Sequence, residues 1–198
     1  ILPKNRRLTW DDVGRFGKGR HMLMHAMIYR TDLLKDMHLE LPLHTFYVDN
    51  LYCYLPLRYV QSIYYDDLDL YRYYIGRSDQ SIQENIMIKR IDQQIRVNLK
   101  MVDDMDFDAL TNKKQYQAIV SYLDIITTVS CMLFMRMGTE EALQRRADLL
   151  DAIKKKNARV YKDVRYSLYG ISMNLPGKLG RKISVWLYLA AQKIVGFN

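Results

Sequence analysis

A chain of 198 residues is long enough to bury its own core, and with 49% apolar and 26% charged residues it has the composition of a folded protein, which excludes a disordered chain. The net charge of +8 belongs to the C-terminal third: residues 141–198 hold 12 Lys and Arg against 4 Asp and Glu, whereas residues 1–140 hold 18 of each. The two cysteines, Cys53 and Cys131, lie inside apolar runs and read as buried free thiols in a reducing compartment, and no Cys/His spacing points to zinc.

The first twenty residues are polar and basic and do not read as a signal peptide. The opening Ile1-Leu2-Pro3-Lys4-Asn5 reads as a loop, which suggests a fragment or an incomplete chain. Thr9 is placed to cap a short helix with Asp11 and Asp12 in its first turn, and Gly14, Gly17 and Gly19 make the next stretch a loop. Strand-like runs rich in Tyr, Ile and Leu follow at residues 22–29, 62–65 and 68–75. Between them, Thr31 precedes a short helical piece over residues 32–36, and Pro42 ends any helix before it. Residues 49–57 read as a helix capped by Asp49 and stopped near Pro56.

Beyond residue 80 the pattern is helical. Ser81-Ile82-Gln83-Glu84 has the form of a capping box, and Ile88, Ile91, Ile95, Leu99 and Val102 then mark one face of a single long helix. Ile119, Leu123, Ile126, Val129, Leu133 and Met137 mark a second helix, ended by Gly138. Its segment 118–137 is strongly apolar, but Asp124, several Ser/Thr and the helical stripe point to a core helix rather than a membrane span. Thr139, Glu140 and Glu141 open a third helix carrying Leu143, Ala147, Leu150 and Ile153. The last helix has Pro176 near its start and Gly196 past its end, with Leu179, Ile183, Trp186, Leu187, Ala190 and Ile194 as its apolar positions. The expected fold is therefore α+β and mostly helical, with one unit over residues 1–80 and a helical bundle over 81–198.

Tyrosine is over-represented, with 16 of 198 residues. Its ring and hydroxyl suit the half-buried wall of a polar cleft, and equally the margin of a core. The runs Met24-His25-Ala26-Met27-Ile28-Tyr29-Arg30, Thr45-Phe46-Tyr47-Val48-Asp49-Asn50 and Leu70-Tyr71-Arg72-Tyr73-Tyr74-Ile75-Gly76-Arg77 resemble the second half of bacterial family-2, GT-A-type glycosyltransferases. The tail ending Lys193-Ile194-Val195-Gly196-Phe197-Asn198 is similar to tails of one Gram-positive subgroup of that family. The resemblance implies the remnant of a GT-A mixed sheet over residues 1–80, the acceptor-side part of a catalytic domain. It further implies an inverting transfer of sugar from a nucleotide-sugar donor to a cell-surface polysaccharide or lipid-linked acceptor.

In that family the catalytic base is the Asp of a Glu-Asp pair preceding a helix. Val48 and Asp49 match the pair, so Asp49 matches the base while Val48 departs from the pattern. Asp49 as a helix cap is the other reading, and one carboxylate can serve both. By the same resemblance, His25, Asn50, Arg77 and Ser78 are implied to bind substrate: His25 edges the acceptor cleft, Asn50 follows the base, and Arg77 with Ser78 lies after the last active-site strand, where a guanidinium can pair with the diphosphate or an acceptor phosphate. Arg77 and its neighbours also fit a plain surface loop. His21 and His25 would suit a metal only on a helix, and the segment reads as a strand. The nucleotide pocket and the ligands of a divalent cation, Mg or Mn, are implied to lie in a half not included here, so the fragment is expected to bind no metal and to be inactive by itself.

Asp67-Leu68-Asp69 has the Asp-x-Asp form that such enzymes use for the cation, but its place ahead of the Tyr-rich run reads as a turn. Asp103, Asp104, Asp106 and Asp108 lack the Gly and closing Glu of a calcium loop and read as a solvated helix end. No Gly-rich phosphate loop occurs. In the last helix, Trp186, Tyr188 and Phe197 alternate with Lys178, Arg181, Lys182 and Lys193. This suits either inward packing or, as the alternative function, a helical interaction or membrane-docking module without catalysis of its own, which would meet an anionic membrane surface through residues 176–198 on a cytoplasmic protein peripheral to the inner face. Nucleic acid is not an expected partner, since the tyrosines concentrate away from the Lys/Arg-rich third.

Overall fold

The computed structural model describes residues 2–14, 22–69, 71, 72, 74 and 83–195. The fold is mostly helical, with one small sheet. Strand β1 (Arg7–Leu8) pairs antiparallel with β2 (Ile63–Tyr64), with Leu8 opposite Ile63 and Arg7 opposite Tyr64. Leu8 is fully buried, and alternation leaves Arg7 outside. Directly after β1, Thr9 caps the expected short turn of helix, here the 3-10 turn Trp10–Asp12. The Asp12 carboxylate accepts from the Thr9 N–H at 2.9 Å and from Arg6 at 2.8 Å. Trp10 is buried and donates its indole N–H to the Val60 carbonyl at 2.6 Å, pinning the N-terminal segment beside β2.

Three expectations before residue 80 are corrected. Residues 22–29 form no strand. They carry the 3-10 turn Met24–Ala26, closed by Ala26 N–H to Leu23 C=O and Met27 N–H to Met24 C=O. A strand needs a neighbour to take its ladder bonds, and the described residues pair only β1 with β2. Residues 68, 69, 71, 72 and 74 likewise carry no strand, and the rest of the 68–75 run lies outside the described residues. Helix α1 (Thr31–Asp36) forms where expected. Helix α2 (Asp49–Tyr54) opens with Val48 at the cap position and Asp49 as its first residue, so Asp49 is not the cap. It passes into the 3-10 turn Leu55–Arg58, tightened around Pro56.

After residue 83 the expected single long helix is two, α3 (Glu84–Lys89) and α4 (Ile91–Asp103). Arg90 breaks the run: it leaves the helical region (φ −110°, ψ 21°) and lays its guanidinium over the Phe46 ring, 3.5 Å from the centroid. The break lets α3 and α4 each pack on α5 (Lys113–Met137). Asn112 caps α5 through bonds from the N–H groups of Lys114 and Gln115, and Gly138 ends it in the left-handed conformation, φ 70°. Helix α5 is the axis of the molecule and touches most of the other helices. It is long and apolar enough to cross a membrane, but 72% of its most apolar stretch is buried against the protein's own helices, as befits a core helix. Two buried polar pairs fix α4 against α5: Gln94 donates to Ser130, and Asn98 to Thr127, each at 3.2 Å.

Helix α6 (Glu140–Lys156) is capped by Thr139 as expected, with acids in its first turn and lysines in its last, matching the helix dipole. Two helices that the apolar pattern does not announce follow. Asn157 caps α7 (Ala158–Arg165), and Ser167 caps α8 (Leu168–Met173). Helix α9 (Gly177–Val195) completes the bundle. The main apolar cluster joins Trp10, Leu51, Tyr54 and Leu57 to Met101, Ile119, Leu123, Ile153 and Val160, so it draws on residues from both sides of position 80.

Candidate functional site

The turn before α2 is held from several sides. His44 and Tyr47 both have positive φ (51° and 69°), which costs a non-glycine residue on the order of 1–2 kcal/mol. The Phe46 N–H donates to Gln93 Oε1 at 2.7 Å. Asn50, buried on α2, donates to the Tyr47 carbonyl at 3.0 Å and accepts from the Tyr122 hydroxyl at 3.2 Å. Its amide therefore ties the turn to α5, so Asn50 acts here as a positioning residue under the neighbouring Asp49.

Asp49 itself is half-buried at the head of α2. Tyrosines surround that helix. The Tyr29 hydroxyl donates to the Cys53 carbonyl at 3.0 Å, the Tyr29 ring meets Tyr52 edge-on at 5.2 Å, and Tyr54 lies 5.8 Å from Tyr122. Burial pushes the Cys53 thiol up to about 12, and the Asp49 charge adds to the rise. Burial likewise pushes the Tyr47 and Tyr122 hydroxyls up, again with a contribution from Asp49, while Arg90 opposes the rise at Tyr47. The Asp49 carboxylate is thus electrostatically coupled to Tyr47, Cys53 and Tyr122, groups that stay protonated at neutral pH.

His25 sits exposed on the turn Met24–Ala26, which packs against α2, and its ring stacks on Tyr71 at 5.0 Å. The turn that carries His25 therefore neighbours the helix that carries Asp49 and Asn50. Arg77 and Ser78 lie outside the described residues, as do His21 and Ser81. Tyr29, Arg90 and Tyr122 belong to this neighbourhood without having been singled out from the sequence. The excess of tyrosine was the signal for two of them, while Arg90 carries none beyond its place in a helical stripe.

The acidic motifs are engaged elsewhere. Asp67 binds Lys4 and accepts from the Tyr65 hydroxyl at 2.9 Å, and Asp69 pairs with Arg72. Asp104 pairs with Lys100, Asp106 with Arg58, and Asp108 accepts from Asn157. Among the described residues no group of three or more His, Cys, Asp and Glu is arranged to hold a metal ion.

A second buried cluster lies between α5, α6 and α8. Asp124 is buried, and its Oδ1 has no hydrogen-bond partner. Burial pushes its carboxyl up to about 6, against the pull of hydrogen bonds with Ser167 and Thr128. The adjoining cavity, about 10 Å³, has room for a single water. Arg146 donates to the Met173 carbonyl at 2.7 Å and to Asn174, while its Nε is buried without a partner. These groups lock α8 to the bundle and leave no space for a substrate.

No protein-family model, no curated protein and no solved structure matches the chain.

Proposed function

We propose that the chain is the acceptor-side and helical part of an inverting, family-2, GT-A-type glycosyltransferase. In this reading it moves a sugar from a nucleotide donor to a cell-surface polysaccharide or lipid-linked acceptor, in the cytoplasm or at the inner face of the membrane. The observation that carries the reading is the half-buried carboxylate of Asp49 at the head of α2, the position the family's base occupies, walled by tyrosines and flanked by the turn holding His25. A second feature supports it. Leu23, Met24, Ile28, Leu43, Phe46, Leu68 and Tyr74 are all exposed, with Ile28 at 90%, the kind of surface that a companion domain covers.

In the proposed step Asp49 takes the proton of the acceptor hydroxyl. The oxygen's electron pair forms the new bond to the anomeric carbon from the face opposite the diphosphate, and the bond to the diphosphate breaks with its electrons leaving on the nucleotide. Asn50 and Tyr47 hold the carboxylate's helix and turn in place. The described residues do not fit a divalent cation on the donor diphosphate, so its ligands and the nucleotide pocket are assigned to residues other than these.

Calorimetry tests the division. With Mn²⁺ and a nucleoside diphosphate, residues 1–198 alone are expected to show no binding, whereas a protein carrying this chain together with its nucleotide-binding half does bind. Metal-dependent nucleotide binding by residues 1–198 alone would contradict the assignment.

A further inference from the structure

We propose that the outer face of α9 docks on an anionic lipid surface, lying in the interface rather than crossing it. One face of the helix is committed to the bundle. Gly180 and Ser184 are buried, a Cβ at Gly180 would stand 2.6 Å from the Leu175 backbone, and the Ser184 hydroxyl bonds the Gly180 carbonyl at 3.0 Å. Among the described residues nothing covers the opposite face: Leu179 is 72% exposed, Trp186 67%, Ile183 42% and Leu187 40%. Spacings of four, three and one set these residues on one stripe of a helix of about 28 Å. Exposed Lys178 and Lys182 border that stripe.

Charge decides the occupant. From Val164 to Asn198 the sequence holds no carboxylate side chain, but it holds Arg165, Lys178, Arg181, Lys182 and Lys193. A second copy meeting the same face would set lysines against lysines, which opposes a symmetric dimer. A bilayer of anionic lipids satisfies both features: its headgroups take the cations while Trp186 and the aliphatic side chains enter the acyl boundary. Because its inner face stays packed on α5 and α8, α9 lies along the surface.

Vesicle flotation and tryptophan fluorescence test the proposal on the whole chain. The only other tryptophan, Trp10, is buried and hydrogen-bonded to Val60, so an emission shift reports Trp186. Vesicles of phosphatidylglycerol and phosphatidylcholine should float the protein and shift its emission to the blue, and high salt should reverse both. Phosphatidylcholine alone should bind about tenfold or more weakly. Lys178→Glu with Lys182→Glu should cost at least about tenfold in binding, and Leu179→Ser with Trp186→Ser should abolish flotation while circular dichroism stays unchanged. Equal binding to neutral vesicles, no binding, or a blue shift on concentrating the protein without lipid would each overturn it, the last in favour of a second copy.

Discussion

In the proposed glycosyltransferase, Asp49→Asn is expected to lower the sugar-transfer rate about 10²- to 10⁴-fold while leaving donor affinity within about twofold. Asparagine keeps the shape of the side chain at the head of α2 but cannot take a proton. The donor site is assigned to other residues, so the loss should fall on kcat and not on the donor KM. The substitution also removes the negative charge that helps hold Tyr47, Cys53 and Tyr122 protonated. That change should not unfold the protein, because burial is the larger cause for all three groups. Turnover equal to that of the unaltered enzyme would remove Asp49 from the chemistry.

Asp124→Asn is expected to raise stability at pH 7 by up to ~3 kcal/mol, or roughly 6–12 °C in melting temperature. The Asp124 carboxyl sits at about 6 in the folded chain against an ordinary 3.8, a rise of about 2 units at 1.36 kcal/mol each. The folded state thus binds this proton more tightly than the unfolded chain does. Well below pH 3.8 both states are protonated and the group costs nothing. As pH rises from 4 through 6 the unfolded chain gains by ionising first, so stability falls, and above 6 the loss is complete and constant. Asparagine should flatten that fall, and its amide can use the oxygen-side bonds to Ser167 and Thr128. Denaturant melts at pH 4 and pH 7 measure both effects. A variant with the same pH dependence as the parent, or one that melts lower at pH 7, would show that the buried carboxylate is not a liability.

Helices with strong local punctuation were legible in the sequence. Helix α5 has a clear apolar stripe, and both Thr139 at the start of α6 and Gly138 at the end of α5 act as their chemistry demands. The short α7 and α8 carry no long apolar stripe and so do not stand out in the sequence, although Asn157 and Ser167 are cap residues in plain view. Residues 22–29 have strand composition, but composition alone cannot provide the neighbouring strand that a ladder requires. The break at Arg90 was illegible for a similar reason: it depends on Phe46, more than forty positions earlier. At the candidate site, Asp49 and His25 could be singled out from the sequence. The role of Asn50 as a brace between Tyr47 and Tyr122 could not, because it exists only once α2 lies on α5.

Proton NMR of the anomeric configuration of the first-formed product, compared with that of the nucleotide-sugar donor, tests the proposed function most directly. A base on the acceptor side, with attack opposite the diphosphate, predicts a single inversion, so an α-linked donor yields a β-linked product. Retained configuration would contradict Asp49 as the base of a one-step displacement.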